Sequence, residues 1–220
     1  VRAGMTLDDA YPLADGADEA WAITRTPGGV LWVVGKCGFI LRSDDEGGTW
    51  TQVSSGMGLL ANDMEMLTNT FGMAVGGQGF VWKTTDGGRK WVVSKPFEEP
   101  LFIGNTSGLQ TLDIVDEEFA ITGGVHGLLL RTWDGGAFWE NIGFPNGQPE
   151  SAEFTDLSLI DRDNGWATIN GVLHRTFTAG SIWEPVPGVT GSQVHFMDPM
   201  RGWVLSGAGL VRRTTDGGLT

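Results

Sequence analysis

Residues 76–91 read Gly-Gly-Gln-Gly-Phe-Val-Trp-Lys-Thr-Thr-Asp-Gly-Gly-Arg-Lys-Trp. The stretch predicts a strand over Phe80 to Thr84, a tight turn at Asp86-Gly87-Gly88, and a second strand opening at Trp91. Asp-Gly between β-rich runs is a strong hairpin signal, because glycine accepts the positive φ the turn needs. The same pattern returns at residues 42–50, 131–139 and 175–183, where Thr178 replaces the acid, and at 213–220 without its tryptophan. In the complete copies a basic residue stands eight positions before the Trp.

Trp50, Trp91, Trp139 and Trp183 lie 41, 48 and 44 residues apart. A period of about 40–50 residues with four short strands per unit is the signature of a propeller blade. The fold expected is all-β: a propeller of five blades, each of four antiparallel strands. Residues 1–220 form a single domain in this reading, with blades over about 6–56, 57–96, 97–144, 145–188, and 189–220 joined by 1–5. The second blade has strands Asp63–Thr68, Gly72–Gly76, Phe80–Thr84 and Trp91–Lys95. The outer strand of the fourth is Ile182–Val186. Val1-Arg-Ala-Gly-Met5 matches Val53-Ser-Ser-Gly-Met57, the end of the first outer strand. Pairing of Val1–Gly4 with the last strand would close the ring and cover an exposed edge.

Composition narrows the function. Glycine accounts for 35 of 220 residues and tryptophan for 10, which fits many turns and periodic aromatics. A net charge of −13 opposes non-specific nucleic-acid binding, which needs a basic footprint. No apolar run reaches the roughly 18 residues of a membrane span, so no membrane insertion is expected. A lone Cys37 excludes an intrachain disulfide framework.

The motif Ser/Thr-x-Asp-x-Gly-x-x-Trp resembles the Asp-box repeat of β-propellers. Its hydroxyl and carboxylate can hold the turn backbone, and its Trp can fill space between sheets. Asp45, Asp86, Asp134 and Asp216, with Trp50, Trp91, Trp139 and Trp183, therefore read as structural residues. Whole units, such as Gly202-Trp-Val-Leu-Ser-Gly-Ala-Gly-Leu-Val-Arg-Arg-Thr-Thr-Asp-Gly-Gly218, resemble the photosystem II stability/assembly factor-like repeat family. The resemblance implies a non-enzymatic scaffold that docks a protein partner, in an extracytoplasmic setting such as a periplasm or thylakoid lumen. It also implies a basic patch, for which Arg42, Lys83, Arg131, Arg175 and Arg213 are the candidates. The competing reading of these cations is local: each stacks on a Trp or pairs with a turn carboxylate.

Two other classes compete with this reading. A glycan-binding propeller, of the lectin or virion receptor-binding kind, would use Phe97, Phe102 and Phe144 in the loops between blades. A sialidase-like glycosidase would need clustered arginines, a tyrosine nucleophile and an acid pair. Here Tyr11 is the single tyrosine, and Asp8-Asp9 and Glu98-Glu99 read as solvated loop charges. His126, His174 and His195 sit in different blades without ligand spacing, so no metal or cofactor is expected.

Overall fold

The computed structural model describes residues 19–36, 39–53, 61–94, 96, 108–143, 152–206 and 209–218. Within them the chain folds as five antiparallel sheets, each a meander of consecutive strands. Blade 1 holds β1 (Ala20–Arg25), β2 (Leu31–Gly35), β3 (Ile40–Ser43) and β4 (Thr51–Gln52). Blade 2 holds β5 (Ala61–Glu65), β6 (Gly72–Gly76), β7 (Val81–Thr84) and β8 (Val92–Ser94). Blade 3 holds β9 (Leu109–Ile114), β10 (Ala120–Gly124), β11 (Leu129–Thr132) and β12 (Glu140–Asn141). Blade 4 holds β13 (Phe154–Leu159), β14 (Gly165–Ile169), β15 (Val172–Thr176) and β16 (Glu184–Thr190). Blade 5 holds β17 (Gln193–Phe196), β18 (Gly202–Ser206) and β19 (Leu210–Thr214). This is the five-bladed propeller expected from the repeat. The pairing of Val1–Gly4 with β19 lies outside the described residues.

Each first strand packs on the first strand of the next blade: β1 on β5, β5 on β9, β9 on β13, and β13 on β17. These strands surround the axis. The second strands of blades 2–4 are covered by strands on both edges and by blades on both faces, so β6, β10 and β14 are buried along their whole length. That is why they are short apolar runs and not alternating ones.

The core is divided among the blade interfaces. Trp32, Val34, Ile40, Met64 and Trp91 join blades 1 and 2. Met73, Val81, Leu109, Leu112 and Trp139 join blades 2 and 3. Ile121, Leu129, Phe154, Leu157 and Trp183 join blades 3 and 4. Trp166, Leu173, Val186, Val194 and Phe196 join blades 4 and 5. Among the described residues no comparable cluster joins blade 5 to blade 1. Ile23 on β1 and Val211 on β19 are each 65% exposed.

The repeated turn explains the period. In blade 2, Thr84 Oγ1 accepts the Gly88 N–H at 2.9 Å and donates to Asp86 Oδ1 at 3.0 Å. Asp86 Oδ1 in turn accepts the Lys90 N–H at 2.9 Å. Thr132, Gly136, Asp134 and Phe138 repeat this in blade 3, and Ser43, Gly47, Asp45 and Thr49 in blade 1. Thr214, Gly218 and Asp216 repeat its first half in blade 5. Blade 4 keeps the geometry without the acid, since Thr178 Oγ1 accepts the Ile182 N–H at 2.9 Å. The following Trp then turns toward the preceding blade. Trp91 meets Trp32 of blade 1 edge-on at 6.4 Å between ring centroids, while Trp183 meets Phe154 of its own blade at 6.3 Å within the cluster shared with Ile121 and Leu129 of blade 3.

Several expected boundaries move, and the innermost strand of blade 2 runs over Ala61–Glu65 instead of Asp63–Thr68. The outer strands β4, β8 and β12 are only two or three residues long. Against the expected spans Trp50–Ser54, Trp91–Lys95 and Phe138–Gly143 they begin one or two residues later, directly after the Trp. In blade 4 Ile182 is held inside the turn by Thr178, so β16 starts at Glu184 and runs on to Thr190. A register shift between Val172 and His174 accommodates it.

Candidate functional site

An innermost strand has one edge with no strand beside it, so alternate backbone N–H groups there need other acceptors. In this chain the preceding blade supplies them. Asp63 Oδ2 accepts the Leu112 N–H at 2.8 Å and Glu65 Oε2 the Ile114 N–H at 2.7 Å. Asp113 Oδ2 accepts the Leu159 N–H and Asp156 Oδ2 the Val194 N–H, both at 2.7 Å. Hydroxyls do the same work at two further places: Ser158 Oγ accepts the Phe196 N–H at 2.8 Å and Thr24 Oγ1 the Met66 N–H at 3.3 Å. Polar side chains at alternating positions of β1, β5, β9 and β13 therefore fasten each blade to the next, 38–49 residues further along the chain.

These side chains line a central channel of about 600 Å³, walled by β1, β5, β9, β13 and β17. Four carboxyl groups face into it, with Arg25 and His195 as the charged or titratable partners from β1 and β17. Each carboxyl is partly open, but only to the confined space of the channel, so burial dominates its titration. Burial pushes Asp63 and Asp156 up to about 6, against the opposing pull of the Leu112 and Val194 N–H groups. Burial likewise raises Asp113 to about 7. Glu65 rises well above the ordinary carboxylate range through burial and then the charge of Asp113. None of the four stands out in the sequence as a site residue. The signal was present as acids or hydroxyls two apart on the innermost strands: Asp63 with Glu65, Thr111 with Asp113, and Asp156 with Ser158.

The register-matched cations sit elsewhere, on the third strands. Arg42 Nη1 donates to the Gly87 carbonyl at 3.3 Å, and Lys83 Nζ to the Gly135 carbonyl at 2.8 Å. Arg131 Nη1 donates to the Ala179 carbonyl at 2.5 Å and to Ser181 Oγ at 3.0 Å. The acceptor is the same turn position each time, one blade onward. Arg42 also pairs with Asp44, Arg131 with Glu140, and Arg175 with Glu184. Arg42, Lys83, Arg131 and Arg175 lie over the rings of Trp32, Phe71, Trp133 and Phe177. Arg213 is exposed on β19.

The turn acids Asp45, Asp86, Asp134 and Asp216 lie on the hairpin face and not in the channel. The first three are held below the ordinary carboxylate range, chiefly by the backbone N–H groups of Thr49, Lys90 and Phe138 respectively. His174 is buried against the Val172 carbonyl, His126 occupies a turn with φ of 58°, and His195 faces the channel. Tyr11, Cys37, Asp8-Asp9, Phe97, Glu98-Glu99, Phe102 and Phe144 lie outside the described residues.

The family model for the photosynthesis system II assembly factor YCF48 matches residues 56–192 of this chain. The chain belongs to that family. No curated protein matches it. Among solved structures, YCF48 from Cyanidioschyzon merolae is 19% identical with a TM-score of 0.64, covering 90% of this chain and 69% of that one. A structure of YCF48 bound to D1 peptide is 17% identical over 90% of this chain and 93% of that one, with a TM-score of 0.48. A GH74 enzyme from Niastella koreensis is 17% identical with a TM-score of 0.68, and covers 91% of this chain. This chain spans only 37% of that enzyme. The likenesses to the Cyanidioschyzon protein and the GH74 enzyme show the propeller fold and nothing of a site.

Proposed function

We propose that this propeller is a non-enzymatic scaffold that docks a protein subunit during assembly of photosystem II. The observation that carries the reading is the family match across residues 56–192, which takes in nearly all of blades 2–4. The chemistry of the described site is consistent with it. The channel carboxyls are engaged with backbone N–H groups of the next blade, and three register cations with turn carbonyls. Groups held in this way serve the scaffold, and docking falls to surfaces that the ring carries. In this proposal Arg42, Lys83 and Arg131 stitch blades together, Arg175 pairs with Glu184 inside its own blade, and the four do not form an anion-binding patch.

Fluorescence anisotropy with a labelled D1 peptide tests the function, with peptides from other photosystem II subunits alongside. Saturable binding to one of them, without cleavage of xyloglucan or sialosides, is the expected result. Turnover of a glycan that vanishes with one carboxylate substitution, in a protein that binds none of the peptides, overturns the proposal. Binding on a glycan array with no peptide bound overturns it in favour of a lectin.

A further inference from the structure

The channel carboxyls do more than cap strand edges, because four of them share one narrow space. Asp63 uses both oxygens on backbone donors, Oδ1 for Met64 and Oδ2 for Leu112. Asp156 does the same with Leu157 and Val194. Glu65 holds the Ile114 N–H through Oε2 and Asp113 holds the Leu159 N–H through Oδ2. Among the described residues Glu65 Oε1 takes no backbone donor and is the place for a proton, while on Asp113 burial outweighs the Leu159 and Ile114 N–H groups. The two residues sit at matching positions of adjacent innermost strands, opposite Met73 on β6 and Ile121 on β10.

We propose that this carboxyl cluster is a pH-sensitive lock on the ring: it fastens the innermost strands while it holds protons, and loosens them when it ionises. The groups facing it, strand by strand, are Arg25 from β1, Asp63 and Glu65 from β5, Asp113 from β9, Asp156 from β13 and His195 from β17. Acids outnumber Arg25 and His195, so successive ionisations add like charge inside a confined, poorly screened space. Each carboxyl also bridges two blades, so repulsion between carboxyls acts across the blade interfaces. The backbone N–H bonds lower the cost of ionising and do not remove it.

The sign follows from linkage. Asp113 titrates near 7 and Asp63 and Asp156 near 6 in the folded protein, all above the ordinary carboxylate value. The folded ring therefore keeps protons that the unfolded chain has already released. Its contribution to stability is complete below the unfolded value and is lost as pH rises through about 6–7.

The experiment is thermal melting of the intact chain between about pH 5 and pH 8, beside the isosteric variants Glu65→Gln and Asp113→Asn. Both variants keep an oxygen for the backbone N–H and remove the ionisation. The unmodified protein should melt lower by roughly 5 °C or more at the upper pH. Each variant should show a shallower fall. A melting temperature that is flat or rises over this range contradicts the lock, as does a variant with the unmodified slope. Should a variant fail to fold, carboxyl carbon NMR of the unmodified protein decides. Resonances titrating near pH 6–7 support the lock, and titration of every carboxyl at or below about 4.5 overturns it.

Discussion

Thr178 stands where the four other blades carry a turn aspartate, and like Asp45, Asp86 and Asp134 it receives the backbone N–H four residues on. What the turn requires at this position is an acceptor oxygen, and a negative charge is dispensable. The neighbouring hydroxyl is less replaceable. Thr132 is 1% exposed and serves both the Gly136 N–H and the Asp134 carboxylate. Thr132→Val keeps the shape and strands that N–H, so urea unfolding should show a loss of about 1–3 kcal/mol. The second turn glycine is fixed by two constraints at once. Gly88 has a φ of 78°, and a Cβ there would run into the Trp32 ring of the preceding blade. Gly88→Ala should destabilise by roughly 2–4 kcal/mol through backbone strain and overpacking, a larger effect than turn geometry alone would give. These residues were legible in the sequence because turn chemistry is local. The channel carboxyls were not, since each one's partner lies in the next blade. Only a comparison of innermost strands position by position would have exposed them.

Strands were legible wherever burial was one-sided or complete. β6 has the boundaries expected from sequence, Gly72–Gly76, since a glycine marks each end of its apolar run. Outer strands were read too long in blades 1–3 and too early in blade 4. Their limits depend on where the turn releases the chain, which hydrophobic pattern does not record. β16 shows how such an outer strand is kept from pairing with other chains. Its sequence Glu-Pro-Val-Pro-Gly-Val-Thr puts prolines at 185 and 187, which remove two backbone donors. Pro185→Val with Pro187→Val restores those donors on an open edge. Light scattering at rising concentration should then show self-association that the unmodified chain lacks. A double variant that stays monodisperse contradicts this role for the prolines.

At the scale of the molecule, two sets of carboxyls pull stability in opposite directions with pH. Asp45, Asp86 and Asp134 in the turns, with Asp116 beside Arg162 and Asp198 beside Arg201, are held below the ordinary range by hydrogen bonds and paired arginines. Their contribution is present above the unfolded value and is lost as pH falls. The channel set contributes below the unfolded value and is lost toward about 7. Stability should therefore peak at about pH 4–5 in a full melting profile, with Asp86→Asn and Asp134→Asn flattening only the acid limb. The ring itself was legible from its 41-, 48- and 44-residue spacings. The role of its repeated cations was not, because a basic residue every blade suits a docking patch and a stitch equally well. The hydrogen bonds of Arg42, Lys83 and Arg131 to the next blade's turn favour the stitch. The most direct test measures melting temperature and D1-peptide affinity together in Arg42→Gln, Lys83→Met and Arg131→Gln. Lower melting with affinity unchanged in the folded protein is the predicted result, and lost affinity at unchanged melting would contradict it.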